Sequence, residues 1–474
     1  MKQTIIICTL LIMLLEGCCK NCGVNEQITY PNSTRTGIRY MQNKAELNQI
    51  AWWKKINDPQ LDHLIVQALQ TNDSIKGSYA TIEQAQAQLK AAQYAWIPTF
   101  DASASGFTGG TWNSHITPSS QLANNQFFAH FPRPRFRGYY AGFVPNYTVN
   151  VLNNISNIKV AKASLAIQQA QAQSTKLSII SQMSGTYFML LSQREQLAVE
   201  RALTRDLKKL RQLEQVRFQK GASDLETLTS IDQQLAQEET KIPQIEGIIA
   251  QSENTIQLLL NQNPGPVNTQ RSLLALKVNH IIPKQLPSSV LKNRPDIMIA
   301  TNNVKMSYAQ IGVAYAEFFP TISLTGLVGN ASVDLTNLLK ISTNLWVTQA
   351  IASMKVLNPS AYQNIKSAKA GFKATYYNYL ETLRAAFADV DDALTNEQKN
   401  KLAYLQTKRG YLAAKRSYAL ALAQYKSGAR DYRNVVNAKI NLERSKLSLI
   451  QEKAQLLDAI GQVYTAVAGG YDVV

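Results

Sequence analysis

The chain is written twice, and this duplication restricts its fold more than any other feature. Arg217-Phe218-Gln219-Lys220-Gly221-Ala222-Ser223-Asp224 recurs as Gln424-Tyr425-Lys426-Ser427-Gly428-Ala429-Arg430-Asp431, with aromatic, Gly, Ala and Asp in step. Upstream, Gln88-Leu89, Ala92, Trp96 and Pro98-Thr99-Phe100 align with Gln310-Ile311, Ala314, Phe318 and Pro320-Thr321-Ile322. The first copy carries about fifteen extra residues between its Pro and its Gly, and both units are far longer than a solenoid repeat. The fold is therefore expected to be pseudo-symmetric, two similar halves built from the same elements, which disfavours a catalytic fold.

Within each half the hydrophobic period changes from helix to strand and back. Asp58 and Pro59 read as N-cap and first helical position, and Leu61, Leu64, Ile65, Ala68 and Leu69 recur at helical spacing, so a helix is predicted over 58–98. From Phe100 the period is two. Phe100, Ala102, Ala104 and Gly106 alternate with Asp101, Ser103 and Ser105, as do Ile322, Leu324, Gly326 and Val328 with Ser323, Thr325, Leu327 and Gly329. Phe143, Tyr147, Val149 and Val151 continue the pattern, with weaker counterparts at Ala350, Met354, Val356 and Asn358. These give strand pairs over 99–152 and 320–358, with strands of about ten residues, the length at which tilted strands cross an outer membrane; Tyr139 and Trp346, at equivalent places, suit an aromatic girdle. A soluble two-sheet module has the same alternation.

Long helices follow each pair, from about Ile155 to Arg217 and from about Ala361 to Tyr425, rods of roughly 90 Å at ~1.5 Å per residue. On the return, Leu228, Ile231, Leu235, Ile242, Ile245, Ile249 and Ile256 mark a coiled-coil seam, which Leu203, Leu207, Leu210 and Leu213 can face. Pro243 predicts a kink. Hairpins are thus expected over 153–262 and 359–474, joined by a linker at 263–286 and a second-half helix at 287–319.

The leader, 1–17, has Lys2 and an apolar run from Ile5 to Leu15, too short for a spanning helix and suited to export. Leu15-Glu16-Gly17-Cys18 resembles a lipobox, which makes Cys18 the predicted acylation site and 18–57 a lipid-anchored segment; a plain secretory signal is the alternative. Cys19 behind it lacks the Asp of an inner-membrane retention signal, so the outer membrane is favoured. The four cysteines, Cys8, Cys18, Cys19 and Cys22, leave none for a disulfide or metal site in the body. His63, His115, His130 and His280 keep no ligand spacing. No phosphate loop or nucleophile arrangement stands out, so no enzyme activity, cofactor or metal is expected. The formal charge is +17, but Lys and Arg are spread along the helices rather than clustered, which excludes a nucleic-acid footprint.

Four strands cannot close a barrel, and open edges do not survive in lipid. Barrels have even strand numbers from eight upward, so two chains would supply eight strands and three would supply twelve. Inward Ser, Thr and Asn leave a polar lumen, so the assembly reads as a duct.

With Trp52-Trp53, Asp58-Pro59 and Leu61, with Leu286-Pro287 and Asn293-Arg294-Pro295-Asp296, and with Ile311-Gly312, Ala314, Ala316 and Phe318-Phe319-Pro320, the chain resembles the TolC-like outer membrane factors, in the lipoprotein branch serving resistance-nodulation-division efflux pumps. The resemblance runs from about Ala51 to Tyr464. It implies an α+β membrane protein: an outer-membrane β-barrel, four strands per chain and twelve per trimer, continued by a long α-helical periplasmic barrel. It also implies a homotrimer, a periplasmic adaptor protein, an inner-membrane pump and outer-membrane lipid as partners. The function implied is passive export of drugs and other small solutes. A type I protein-secretion duct and a non-channel coiled-coil lipoprotein are the alternatives.

The resemblance places adaptor docking at the two corners, Phe218, Gly221 and Ala222 with Tyr425, Gly428 and Ala429. The glycines permit a positive φ, the alanines leave room, and the aromatics would brace the turn. It places the periplasmic entrance just beyond, at Thr227, Ser230, Arg430, Asn434 and Asn437. Where the family commonly has a pair of aspartates, this chain has Asn434 and Asn437, so the entrance is expected to be polar but not acidic, with Arg430 pairing to Asp224 or Asp431. Arg294, Pro295, Asp296 and Pro320 are read as structural, a helix cap and ion pair. The surplus loop, with Arg133, Arg135 and Arg137, is read as a solvated loop or a lipopolysaccharide contact.

Overall fold

A computed structural model describes residues 35, 40–41, 51–109, 136–269, 271–278, 286–287, 293–340 and 344–471. Cys18, the rest of the leader and most of the surplus loop lie outside them. The first half runs β1 (Tyr40–Met41), α1 (Pro59–Thr71), α2 (Asp73–Tyr94), β2 (Thr99–Gly109), β3 (Phe136–Val149), α3 (Val151–Gln219) and α4 (Leu225–Leu259). The second runs β4 (Leu286–Pro287), α5 (Pro295–Ala316), β5 (Thr321–Ser332), β6 (Asn344–Ser353), α6 (Pro359–Lys426) and α7 (Tyr432–Ala466). The long helices match across the halves, 69 residues in α3 and 68 in α6.

The chain forms two compact units. One comprises residues 85–164 and 305–373 and holds the sheet, the other 1–84, 165–304 and 374–474. The sheet is antiparallel in the order β2-β3-β5-β6. The duplication is visible in its register: Thr99 faces Asn146 in one hairpin and Thr321 faces Ser353 in the other. Because residues opposite one another share a face, Ala102, Phe143, Val328 and Trp346 form one apolar row, and Tyr147, Leu324 and Ala350 another. The opposite face is more polar, with Asp101, Ser103, Thr148, Ser323, Thr325 and Gln349, where Ser103 bonds Tyr140 and Thr148 bonds Ser323, although β6 adds Leu345, Val347 and Ile351 to it. Trp346 is 74% exposed on the apolar face, and so would be costly to leave in water. Tyr139 shares that face, two rows from Trp346. Strands β2 and β6 are the sheet's edges within the chain.

The helical unit is cored by Trp52, Trp53 and Ile56, a short 3-10 turn, packed on α1, α3, α4, α6 and α7. Trp52 stacks on Tyr464 with centroids 5.4 Å apart. Asp58 caps α1 by accepting from the Gln60 N–H, with Pro59 at the first helical position. The anticipated seam forms a second cluster: Leu203, Leu207 and Leu210 of α3 meet Ile231 of α4, joined by Val436 and Ile440 of α7. Helix α4 runs unbroken through Pro243. Among the described residues no helix is long and apolar enough to cross a membrane.

Three boundaries differ from the sequence reading. The helix expected over 58–98 is two helices, because Asn72 adopts extended backbone; its side chain accepts from the Ser74 N–H and donates to the Leu259 carbonyl, so it starts α2 as a cap and ties it to α4. The second-half helix begins at Pro295 rather than 287, since Leu286–Pro287 pairs in parallel with Tyr40–Met41. The second strand pair ends at Ser353 rather than 358. Its partner β5 starts at Thr321, just after Pro320, so Met354 and Val356 have no ladder to join and are exposed.

Candidate functional site: the hairpin corners and the face behind them

The two corners share one backbone solution. In the first, the Gly221 N–H donates to Phe218 O and the Ala222 N–H to Arg217 O; in the second, Gly428 donates to Tyr425 O and Ala429 to Gln424 O. These paired bonds close a helix through a left-handed residue, and φ is +69° at Gly221 and +75° at Gly428. A Cβ at either glycine would meet nothing within 4 Å, so glycine is needed for backbone conformation alone. Asp224 and Asp431 then cap the returning helices, accepting from the N–H of Thr227 at 2.6 Å and of Arg433 at 3.1 Å. The Thr227 amide holds the Asp224 carboxyl below the usual carboxylate range. Ala222 and Ala429 are exposed. Tyr425 packs on Tyr432 at 5.1 Å, and both corner aromatics keep exposed surface, 43% for Tyr425 and 38% for Phe218.

Arg430 does not make the ion pair anticipated for it. Arg217 of the other hairpin binds Asp431 instead, at 2.7 Å, because it stands in the last turn of α3 beside the second corner while Arg430 lies in the exposed turn itself. Behind this pair, Glu214 is fully buried between Arg433, 3.1 Å away, and Arg217, 3.7 Å away, and accepts from the Ser223 hydroxyl. Sequence reasoning missed this network. Its signal was a carboxylate at Glu214 continuing the apolar stripe Leu203, Leu207, Leu210.

Thr227, Ser230 and Asn437 line one cleft of about 690 Å³ with Gln234, Arg433 and Arg444. Ser230, Asn434 and Asn437 are exposed. Helix α7 continues this polar line: its other exposed positions are Asn441, Arg444, Ser448, Gln451, Gln455, Asp458 and Gln462, spaced by three and four, so its most exposed residues share one narrow face. No group of three His, Cys, Asp or Glu side chains is poised for a metal among the described residues.

The signature residues lie apart from the corners. Arg294, 8% exposed, grips Asp296 with two bonds, reaches Asp389 at 2.9 Å and donates to the Ala466 carbonyl at the end of α7. It is a cap and ion pair joining three helices. Pro295 opens α5, and Pro320 precedes β5.

A four-stranded sheet with one apolar face, a more polar opposite face and two edges, carried on a duplicated chain with paired long helices, defines an outer-membrane channel protein with a large helical periplasmic part. The chain belongs to the outer membrane efflux protein family, whose model matches residues 64–262 and 286–469. The probable outer membrane lipoprotein SilC of Salmonella typhimurium is 26% identical over 72% of this chain and 71% of its own length. Outer membrane protein OprJ of Pseudomonas aeruginosa is 26% identical over 81% and 79%. Among solved structures, the outer-membrane channel OprN superposes with a TM-score of 0.78 at 20% identity over 94% of this chain and 99% of that one. The Campylobacter jejuni CmeC outer membrane channel gives 0.79 at 22% over 95% and 94%. The protein is thus an outer-membrane efflux channel.

Proposed function

We propose that three copies of this chain join edge to edge into a twelve-stranded barrel and serve, with a periplasmic adaptor and a resistance-nodulation-division pump, to pass drugs and other small solutes outward. The observation that carries the reading is the four-stranded sheet with opposite faces and two edges. In lipid every edge must be paired, and joining copies pairs β2 of one with β6 of the next. The apolar face then meets lipid and the polar face the lumen. Acylated Cys18 adds an anchor to the same membrane.

The corners are the adaptor's docking points. Two unlike corners per chain, one carrying Phe218, Gly221 and Ala222 and the other Tyr425, Gly428 and Ala429, give six small-residue sites around a trimer. A photo-crosslinker placed at Ala222 or Ala429 in cells is expected to capture a periplasmic protein encoded with the pump. Capture only from positions on the sheet, with none from the corners, would overturn the docking assignment. The entrance is amide-lined at Asn434 and Asn437, whose hydrogen bonds contribute about 1 kcal/mol each. Conductance is therefore expected to respond little to divalent cations, and strong block by them would contradict this entrance.

A further inference from the structure

Between Asn434 and Gln455 every exposed residue of α7 is an amide or a serine except Arg444. Arg444 lines the cleft behind the corners with its guanidinium half exposed. Its neighbours offset its charge in part, and its guanidinium still reaches solvent. The nearest carboxylate, Glu238 of α4, lies 3.6 Å from Arg444 and is also bound by Lys241. The second carboxyl of this group, Glu200 of α3, stands 4.0 Å from Lys241 and is buried, and burial pushes its pKa up. The exposed acids on the same stretch of α4 are already matched, Glu239 by Lys208 at 2.8 Å and Glu246 by Arg201 at 2.6 Å. At the corner, Asp224 and Asp431 are engaged as helix caps, and Asp431 also by Arg217. Glu226 lines the mouth of the cleft without a paired cation; it lies in the first turn of α4, whereas Arg444 comes after the third turn of α7.

We infer that Arg444 is the charge filter of the duct, giving a lumen that passes anionic solutes more readily than cationic ones. The inference rests on the proposed trimer, in which three copies of Arg444 stand at one level of the wall, while Arg433 is paired with Glu214 and the carboxylates Glu226, nearer the corner, and Asp458, farther along α7, stand at other levels. Rings of Arg or Lys select anions in pores as rings of Asp or Glu select cations. The Asn, Ser and Gln around Arg444 offer hydrogen bonds to either sign, so at its level the arginine ring sets the preference.

The test is the reversal potential of the purified channel in a planar bilayer under a potassium chloride gradient at low salt. The chloride-to-potassium permeability ratio is expected above unity in the unaltered protein and in Arg444→Lys. It should fall to about 1 in Arg444→Gln and below that in Arg444→Glu. Arg409→Gln, on α6 and outside the cleft, should leave it unchanged. A wild-type channel that prefers potassium, or a ratio unmoved in Arg444→Gln, overturns the inference. Should the variants fail to assemble, the unaltered channel still decides. Its anion preference must weaken as salt rises from about 0.1 to 1 M, since screening then shortens from about 10 to about 3 Å. A folded trimer with no conductance would overturn the channel reading instead.

Discussion

Gly428 and Lys453 show how much one position can carry. At Gly428 the left-handed backbone has open space around it, so a side chain meets strain and no clash. Gly428→Ala should destabilise the second hairpin by about 1–2 kcal/mol, and Gly428→Asn by less, read as thermal midpoints; equal losses would mean that contacts rather than φ select the glycine. Lys453 is 2% exposed, donates to the Leu276 carbonyl at 2.7 Å and lies over the Tyr404 ring. Burial without a carboxylate partner pulls its pKa down to about 8. The unfolded chain then binds this proton more tightly than the folded one, so stability should rise as pH climbs from about 8 towards 10. The rise should be on the order of 1–2 kcal/mol and should vanish in Lys453→Met. A pH profile unchanged by that substitution would contradict the assignment.

The elements were legible in the sequence where their signal was local and repeated. Unbroken helical pattern on either side of the corners gave the lengths of α3 and α6, alternation gave the faces of the strands, and paired Gly-Ala-Asp corners gave both turns. What escaped depended on contacts remote in sequence. Asn72 lies in Thr71-Asn72-Asp73-Ser74, a run of cap-forming residue types, but the apolar helical pattern before it reads straight through, and its tie to the Leu259 carbonyl is remote in sequence. Val356 continues the weaker alternation of its half, yet has no strand to pair with. The ion network joining the two corners likewise links residues far apart in the chain. Its parts should differ in weight. Arg217 and Asp431 are both substantially exposed, so a double-mutant cycle should give under about 1 kcal/mol. Arg433→Ala leaves buried Glu214 without its nearer cation and should cost about 3 kcal/mol, most of it recovered by adding Glu214→Gln. Strict additivity of those two substitutions in thermal unfolding would show that Arg433 and Glu214 do not act as a pair.

At the scale of the molecule, the duplication, the edges of the sheet and the family membership converge on assembly. A chain that supplies four strands is incomplete in a membrane, and its polar sheet face has a use only when it surrounds water. The candidate site was partly legible at this scale. The corners and the amides replacing an acidic pair could be read from residues alone, whereas Arg444 stood out only once the exposed face of α7 was known. The central claim, that copies of this chain close into a pore, is tested most directly by planar-bilayer recording from the purified protein. The prediction is stepwise conductance from a sodium dodecyl sulfate-resistant trimer, lost when heating converts it to single chains. A folded protein that runs as a single chain without heating, or a trimer that gives no conductance steps, would contradict it.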